Sequence, residues 1–196
     1  MSPSALFEHL LKVVSSSRFL EKRGLGNEVP FFICAYDPAR SVDIDKMRGN
    51  LVTKLAERGV TILEIDLYDL ATDLLRERGI WQQVLDMETG VSKAELKELL
   101  QNVLDPQDHL VPAIAQRMSK ERFDVLFISG IGEVFPYIRS HNVLNNLQST
   151  AKDQPTLMFF PGEYRQTVAT GASLDLFSRL HDDKYYRAFD ILHYEV

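Results

Sequence analysis

The chain predicts an α/β domain: a three-layer, doubly wound, mainly parallel sheet of four to five strands with a helical insertion between strands two and three. Three observations carry this. Short apolar runs rich in β-branched and aromatic residues recur without polar alternation, as in strands covered on both faces. Segments with apolar residues at helical spacing separate them. The 196 residues, 45% hydrophobic and 26% charged, suit one core.

The elements follow in order. Phe7, Leu10, Leu11, Val13 and Val14 give an amphipathic N-terminal helix over 4–15; Glu8, His9 and Lys12 interrupt it, so it is no secretory signal. Strand one is Pro30–Tyr36. Val42, Met47, Leu51, Val52 and Leu55 mark a helix that Gly59 ends, and Val60–Asp66 is strand two, parallel to the first across a right-handed crossover. The long interval to strand three, Phe123–Ser129, holds helices at Leu67–Arg78, Ile80–Met87, Ser92–Leu104 and His109–Lys120, with the insertion spanning 67–120. Ser92 and Glu95 form a capping-box signature for the third of these. Val134–Leu147 reads as a helix opened by Pro136, Thr156–Phe160 as strand four, Ala172–Leu180 as a last helix and Ala188–Tyr194 as an edge strand.

Charge is uneven. The net charge is −6, the wrong sign for holding nucleic acid by phosphate neutralisation alone. Residues 61–110 carry four basic and eleven acidic side chains, whereas 1–60 carry nine and seven, and 111–196 nine and ten. The acidic block is either a solvated helical face or a docking surface for a basic partner. The one cysteine, Cys34, lies mid-strand, which rules out an intrachain disulfide and a CxxC metal site and fits a reducing cytoplasm. No run of about 20 apolar residues is present to span a bilayer.

Ligands in such sheets bind beyond the carboxyl ends of the strands. After strand one, Asp37 and Arg40 stand in a loop without the glycines and lysine of a phosphate loop. After strand three, Gly130 and Gly132 form G-x-G, which lets backbone approach a ligand at a helix N-terminus. Phe135, however, occupies the place of the dinucleotide fingerprint's third glycine, and the strand ends in Ser129 rather than a magnesium-binding acid. Glu133, Arg139 and His141 follow and either line a cleft or serve caps and salt bridges. Pro161-Gly162 signals a tight turn after strand four, projecting Glu163, Tyr164 and Arg165. Asp182 and Asp183 precede Tyr185, Tyr186 and Arg187; the aspartates are an N-cap or a metal pair, and the tyrosines packing or stacking groups. The histidines form no zinc spacing and no GxSxG elbow occurs, so no metal, cofactor or catalytic residue is assigned and no enzymatic activity is expected.

Two stretches, F-I-S-G-I-G-E-V-F-P-Y-I-R-S-H-N-V-L-N-N-L at 127–147 and 159–189 with F-F-P-G-E-Y and L-D-L-F-S-R-L-H-D-D-K-Y-Y-R-A-F, resemble the hallmarks of the BrxB family. These are small proteins of the BREX bacteriophage-exclusion systems, which combine an adenine methyltransferase, a large ATPase and the alkaline-phosphatase-like PglZ protein to methylate host DNA and restrict phage. The resemblance implies a non-enzymatic assembly factor that binds PglZ, with the BrxC ATPase and the PglX methyltransferase as further partners. It also implies contact with nucleic acid only through the complex, and no membrane. Pro136, Asn142, Pro161 and Phe189 match the family together with the candidate residues after strands three and four. Two other readings stay open. One is a degenerate nucleotide-binding domain holding an anion near Asp37, Arg40, Gly130, Gly132, Arg139 and Arg165; the other is a DNA- or RNA-binding subunit using Arg18, Lys22 and Arg23.

Overall fold

The computed structural model describes residues 2–25, 30–167, 171–180 and 188–196. Its helices are α1 (Pro3–Val14), α2 (Ser17–Leu20), α3 (Ser41–Glu57), α4 (Leu67–Glu77), α5 (Trp81–Glu88), α6 (Lys93–Val103), α7 (Val111–Lys120) and α8 (Ser140–Leu147). The strands are β1 (Phe31–Tyr36), β2 (Ile62–Asp66), β3 (Val125–Ser129), β4 (Thr156–Thr167), β5 (Gly171–Leu176) and β6 (Phe189–Asp190). Five of them form one parallel sheet in the order β2-β3-β4-β1-β6, and β5 pairs antiparallel with the far half of β4.

Topology follows from handedness. From β1 the chain crosses through α3 to β2, at the sheet's edge, and then steps back through β3 to β4. Right-handed crossovers running in opposite directions place their connections on opposite faces. Accordingly α1, α2 and α3 cover one face, packing on Phe32, Cys34, Phe127, Leu157 and Phe159. The helices α4, α7 and α8 cover the other, on Phe31, Ile33, Leu126, Ile128, Met158 and Phe160. Successive residues of β1, β3 and β4 thus alternate between two apolar cores, which is why these strands read as continuous hydrophobic runs.

Local signals account for several boundaries. Ser2 accepts from the Ala5 amide at the start of α1, and Asp66 accepts from the Tyr68 and Asp69 amides at the start of α4. The Ser92–Glu95 capping box forms in full. The first βαβ unit is parallel, yet β1 and β2 are not neighbours, since β3 and β4 lie between them. Val42 is 67% exposed, so the buried stripe of α3 is Ile44, Met47, Leu51 and Leu55.

Three expectations are overturned. Ala172–Leu180 is not a helix. It contains the strand β5, and the buried Ala172, Leu174 and Leu176 recur at the two-residue period of a strand. Pro161-Gly162 makes no turn either: β4 runs straight through it, and Gly162 pairs with Leu176. The helix drawn over Val134–Leu147 begins only at Ser140, because residues 131–138 form turns and bends instead. The weak edge strand shrinks to Phe189–Asp190, after which Ile191–His193 forms a 3-10 turn.

Phe32 sits at the centre of the first core, its ring centroid 4.6 Å from Phe19 and 5.3 Å from Tyr194. Phe32→Ala is expected to cost about 3–5 kcal/mol in urea unfolding, whereas Val42→Ala stays within about 0.5 kcal/mol. Cys34 is fully buried and its thiol is pushed up to about 12 by desolvation and the Asp190 carboxylate. Because the neutral thiol is the buried form, the unfolded chain ionises first as pH rises, so this group's contribution to stability falls above its ordinary value. Iodoacetamide at pH 8 should leave Cys34 unmodified in the native protein and alkylate it in urea; labelling followed by mass spectrometry reads this.

Candidate functional site

The carboxyl ends of β1, β2, β3 and β6 lie along one edge of the sheet, whereas β4 continues past that edge into the hairpin with β5. The chain leaves β1 toward the face of α3 and leaves β4 toward the face holding Leu174 and Leu176, so the topological switch point falls between β1 and β4. An open cleft of about 540 Å³ lies there, lined by Tyr36, Asp37, Gly162, Glu163, Tyr164 and Asp190 among others. A second, of about 640 Å³, runs from Asp37 and Pro38 to Ser178 and Arg179.

The groups lining the first cleft are held by their own chain. Asp37 accepts from the Ala39 amide at 3.0 Å and caps the 3-10 turn that contains Arg40. The Tyr164 hydroxyl donates to the Ala188 carbonyl at 2.6 Å; burial first, and then the Asp190 carboxylate, push it up to about 12. Arg165 lies 2.6 Å from Glu163 and 3.7 Å from Asp175, and its hydrogen bond holds the Glu163 carboxyl below the usual carboxylate range. Among the described residues three carboxylates, Asp37, Glu163 and Asp190, line this cleft and no lysine or arginine does. That field repels phosphate.

The glycines after β3 are committed to packing. Gly130 has φ +74°, and a Cβ there would lie 2.5 Å from Asp66 Oδ1. A Cβ on Gly132 would lie 2.9 Å from the Phe177 ring, and one on Gly162 would lie 2.1 Å from the Asp175 carbonyl oxygen. No helix starts at the G-x-G, so the expected ligand-facing helix N-terminus is absent at this point of the chain. Instead Asp66, from the end of β2, joins three elements: Oδ1 caps α4 and Oδ2 accepts from the Ser129 hydroxyl at 2.9 Å. Glu133 is exposed beside it, and burial together with Asp66, Asp45 and Asp69 pushes its carboxyl upward. His141 is buried in α8 at 3% exposure, and Arg139 occupies the position before that helix without capping it.

The sequence candidates therefore divide. Asp37, Gly162, Glu163 and Tyr164 meet at the switch point; Gly130 and Glu133 gather around Asp66, and Gly132 meets Phe177 and Pro161. Asp182, Asp183, Tyr185, Tyr186 and Arg187 lie outside the described residues. Of the N-terminal cations, Lys22 donates to the Asp153 carbonyl, Arg23 pairs with Glu21 and Arg18 lies over the Tyr194 ring. Asp66 and Asp190 were missed, although an aspartate at a strand end before a helical turn is a recognisable cap. Among the described residues no group of three or more His, Cys, Asp or Glu is placed to hold a metal ion, and no helix is long and apolar enough to cross a membrane.

The fold and this edge define a doubly wound α/β domain with an acidic switch-point cleft and a β-hairpin rising from its fourth strand. Comparison then places it: the chain belongs to the BrxB family of BREX proteins, whose model matches residues 63–191. It is 34% identical to the BREX protein BrxB of Bacillus cereus (strain H3081.97), over 94% of this chain and 95% of that one. It is 28% identical to the BREX protein BrxB of Escherichia coli O9:H4 (strain HS), over 91% and 86%. No solved structure matches the chain. Family membership supports a role in BREX phage defence.

A methyl group at position 130 would collide with the Asp66 carboxylate on a backbone of positive φ. Gly130→Ala is expected to destabilise by about 1–3 kcal/mol in urea unfolding, through strain and displacement of the α4 cap. Gly49→Ala, at a helical glycine with nothing within 4 Å of the added carbon, should be neutral or slightly stabilising in the same assay.

Proposed function

We propose that the chain is a non-catalytic assembly factor of a BREX system, one that docks on the alkaline-phosphatase-like PglZ protein and so supports host DNA methylation and phage restriction. The observation that carries the reading is the state of the carboxyl edge. In a sheet of this type that edge is where a nucleotide or substrate would bind. Here its glycines are packed against Asp66, Phe177 and Asp175, and its cleft is lined by Asp37, Glu163 and Asp190. An edge built this way favours a role exerted through protein surfaces. The acidic helical insertion supplies a large surface for such contacts, and membership of the BrxB family supplies the system in which they are made.

Affinity-tagged protein expressed with its operon should co-purify PglZ at micromolar concentration, and deletion of the gene should abolish both site-specific methylation and phage restriction. Absence of a complex together with intact defence in the deletion strain would overturn the reading. Nucleotides at about 100 times a micromolar dissociation constant should leave the thermal melt unchanged, where a bound ligand would add about 2.7 kcal/mol.

A further inference from the structure

The insertion between β2 and β3 leaves an apolar groove open to solvent. α5 and α6 contain no fully buried residue, although both carry apolar side chains at helical spacing. These face one another and α4 across a cavity of about 330 Å³, walled by Leu75, Trp81, Val84, Leu85, Leu96 and Leu100. Tyr68 and Tyr137 also line it, Glu88 is the charged residue among the lining groups, and the Arg76 guanidinium lies 5.1 Å from the centre of the Trp81 ring. Tyr68, Leu85 and Met87, on α4 and α5, are 43%, 38% and 40% exposed, three of the six large hydrophobic residues so exposed among those described. A helix pair whose apolar face stays partly exposed lacks an element to pack against.

The charge around the groove says what kind of element that is. The segment 61–110 carries four basic against eleven acidic side chains. Asp69 is exposed one position beyond Tyr68, Glu88 lines the wall, and Glu133 sits where the Tyr137 hydroxyl donates to its carbonyl. The Glu133 carboxyl is pushed up by burial and then by Asp66, Asp45 and Asp69, a sign of negative potential at that end. An acidic or neutral helix would add like charge; a helix with Lys and Arg beside a Leu-rich stripe matches both the floor and the rim.

We infer that the α4–α5–α6 groove is the docking site for a basic amphipathic helix of a partner protein, whose apolar side chains insert beside Trp81 and Leu85 while its cations face Asp69, Glu88 and Glu133. The inference rests on the assembly-factor reading only in taking that helix to belong to a partner.

Trp81 is the chain's single tryptophan and stands in the wall of the groove, so its emission reports occupancy directly. The probe is a synthetic 18-residue amphipathic helix of leucine and lysine, titrated into the full-length protein, with a leucine–glutamate helix of the same pattern as control. The lysine peptide should give a saturable blue shift that weakens at least about tenfold between 50 and 500 mM salt. The double variant Asp69→Lys/Glu88→Lys should weaken it by about tenfold, and Leu85→Ser by a similar factor, each with an unchanged circular dichroism spectrum. No shift with the lysine peptide, an equal shift with the glutamate peptide, or affinity unaltered in both variants would overturn the inference. The titration uses no BREX component. Peptide binding without capture of PglZ therefore tells against the assembly-factor reading alone, and capture of PglZ undiminished by Leu85→Ser and by Asp69→Lys/Glu88→Lys tells against this groove alone.

Discussion

The structure depends on the parallel pairing of β1 with β4, in register from Phe31 opposite Thr156 to Tyr36 opposite Pro161. Each strand presents large apolar side chains alternately to both faces, so neither face can remain wet. Two separate helical layers are then required, and the crossover rule supplies them because the chain travels outward through α3 and returns through α4–α8. The two cores are consequences of one strand pair. Phe32 and Phe159 need α1 and α3, while Ile33 and Phe160 need α4, α7 and α8.

This constraint also shapes the functional edge. β4 does not stop at the edge where β1 stops, and its continuation through Gly162 to Thr167 raises a hairpin over the switch point. Gly162 permits the crossing because its missing side chain leaves room for the Asp175 carbonyl. The hairpin brings Glu163 and Tyr164 beside Asp37 and Asp190, so a position that elsewhere receives phosphate has become an acidic surface. Family membership and edge chemistry thus bear on separate points, the first on the system in which the protein works and the second on the kind of contact proposed for it.

Much of the parallel sheet was legible in the sequence because its strands are buried on both faces and their hydrophobic runs allow no competing pattern. The capping box at Ser92 was legible because its chemistry is local. What misled was local chemistry overruled by distant partners. Pro161-Gly162 satisfies every turn preference, yet β1 on one side and β5 on the other hold it extended. Ala172–Leu176 has both periods available, and only the edge of β4 selects the strand. The G-x-G after β3 suggests close approach of a ligand, but what approaches Gly130 is Asp66, 64 residues earlier in the chain.

The insertion presents the converse problem. Its helices were legible one by one, from period and caps, but their exposure was not, because an amphipathic pattern states that a face must be covered without saying by what. In α4 and α7 the sheet and α8 do the covering, and residues such as Leu70, Ala71 and Ile114 vanish from the surface. In α5 and α6 the same kind of stripe touches the margin of that core but is not covered by it, so Trp81, Val84, Leu96 and Leu100 are left partly exposed. In the docking reading proposed for this groove, the acidic bias of residues 61–110 is more than a solubilising coat. An apolar face with acidic residues about it would discriminate between partners by charge before it gained from burial.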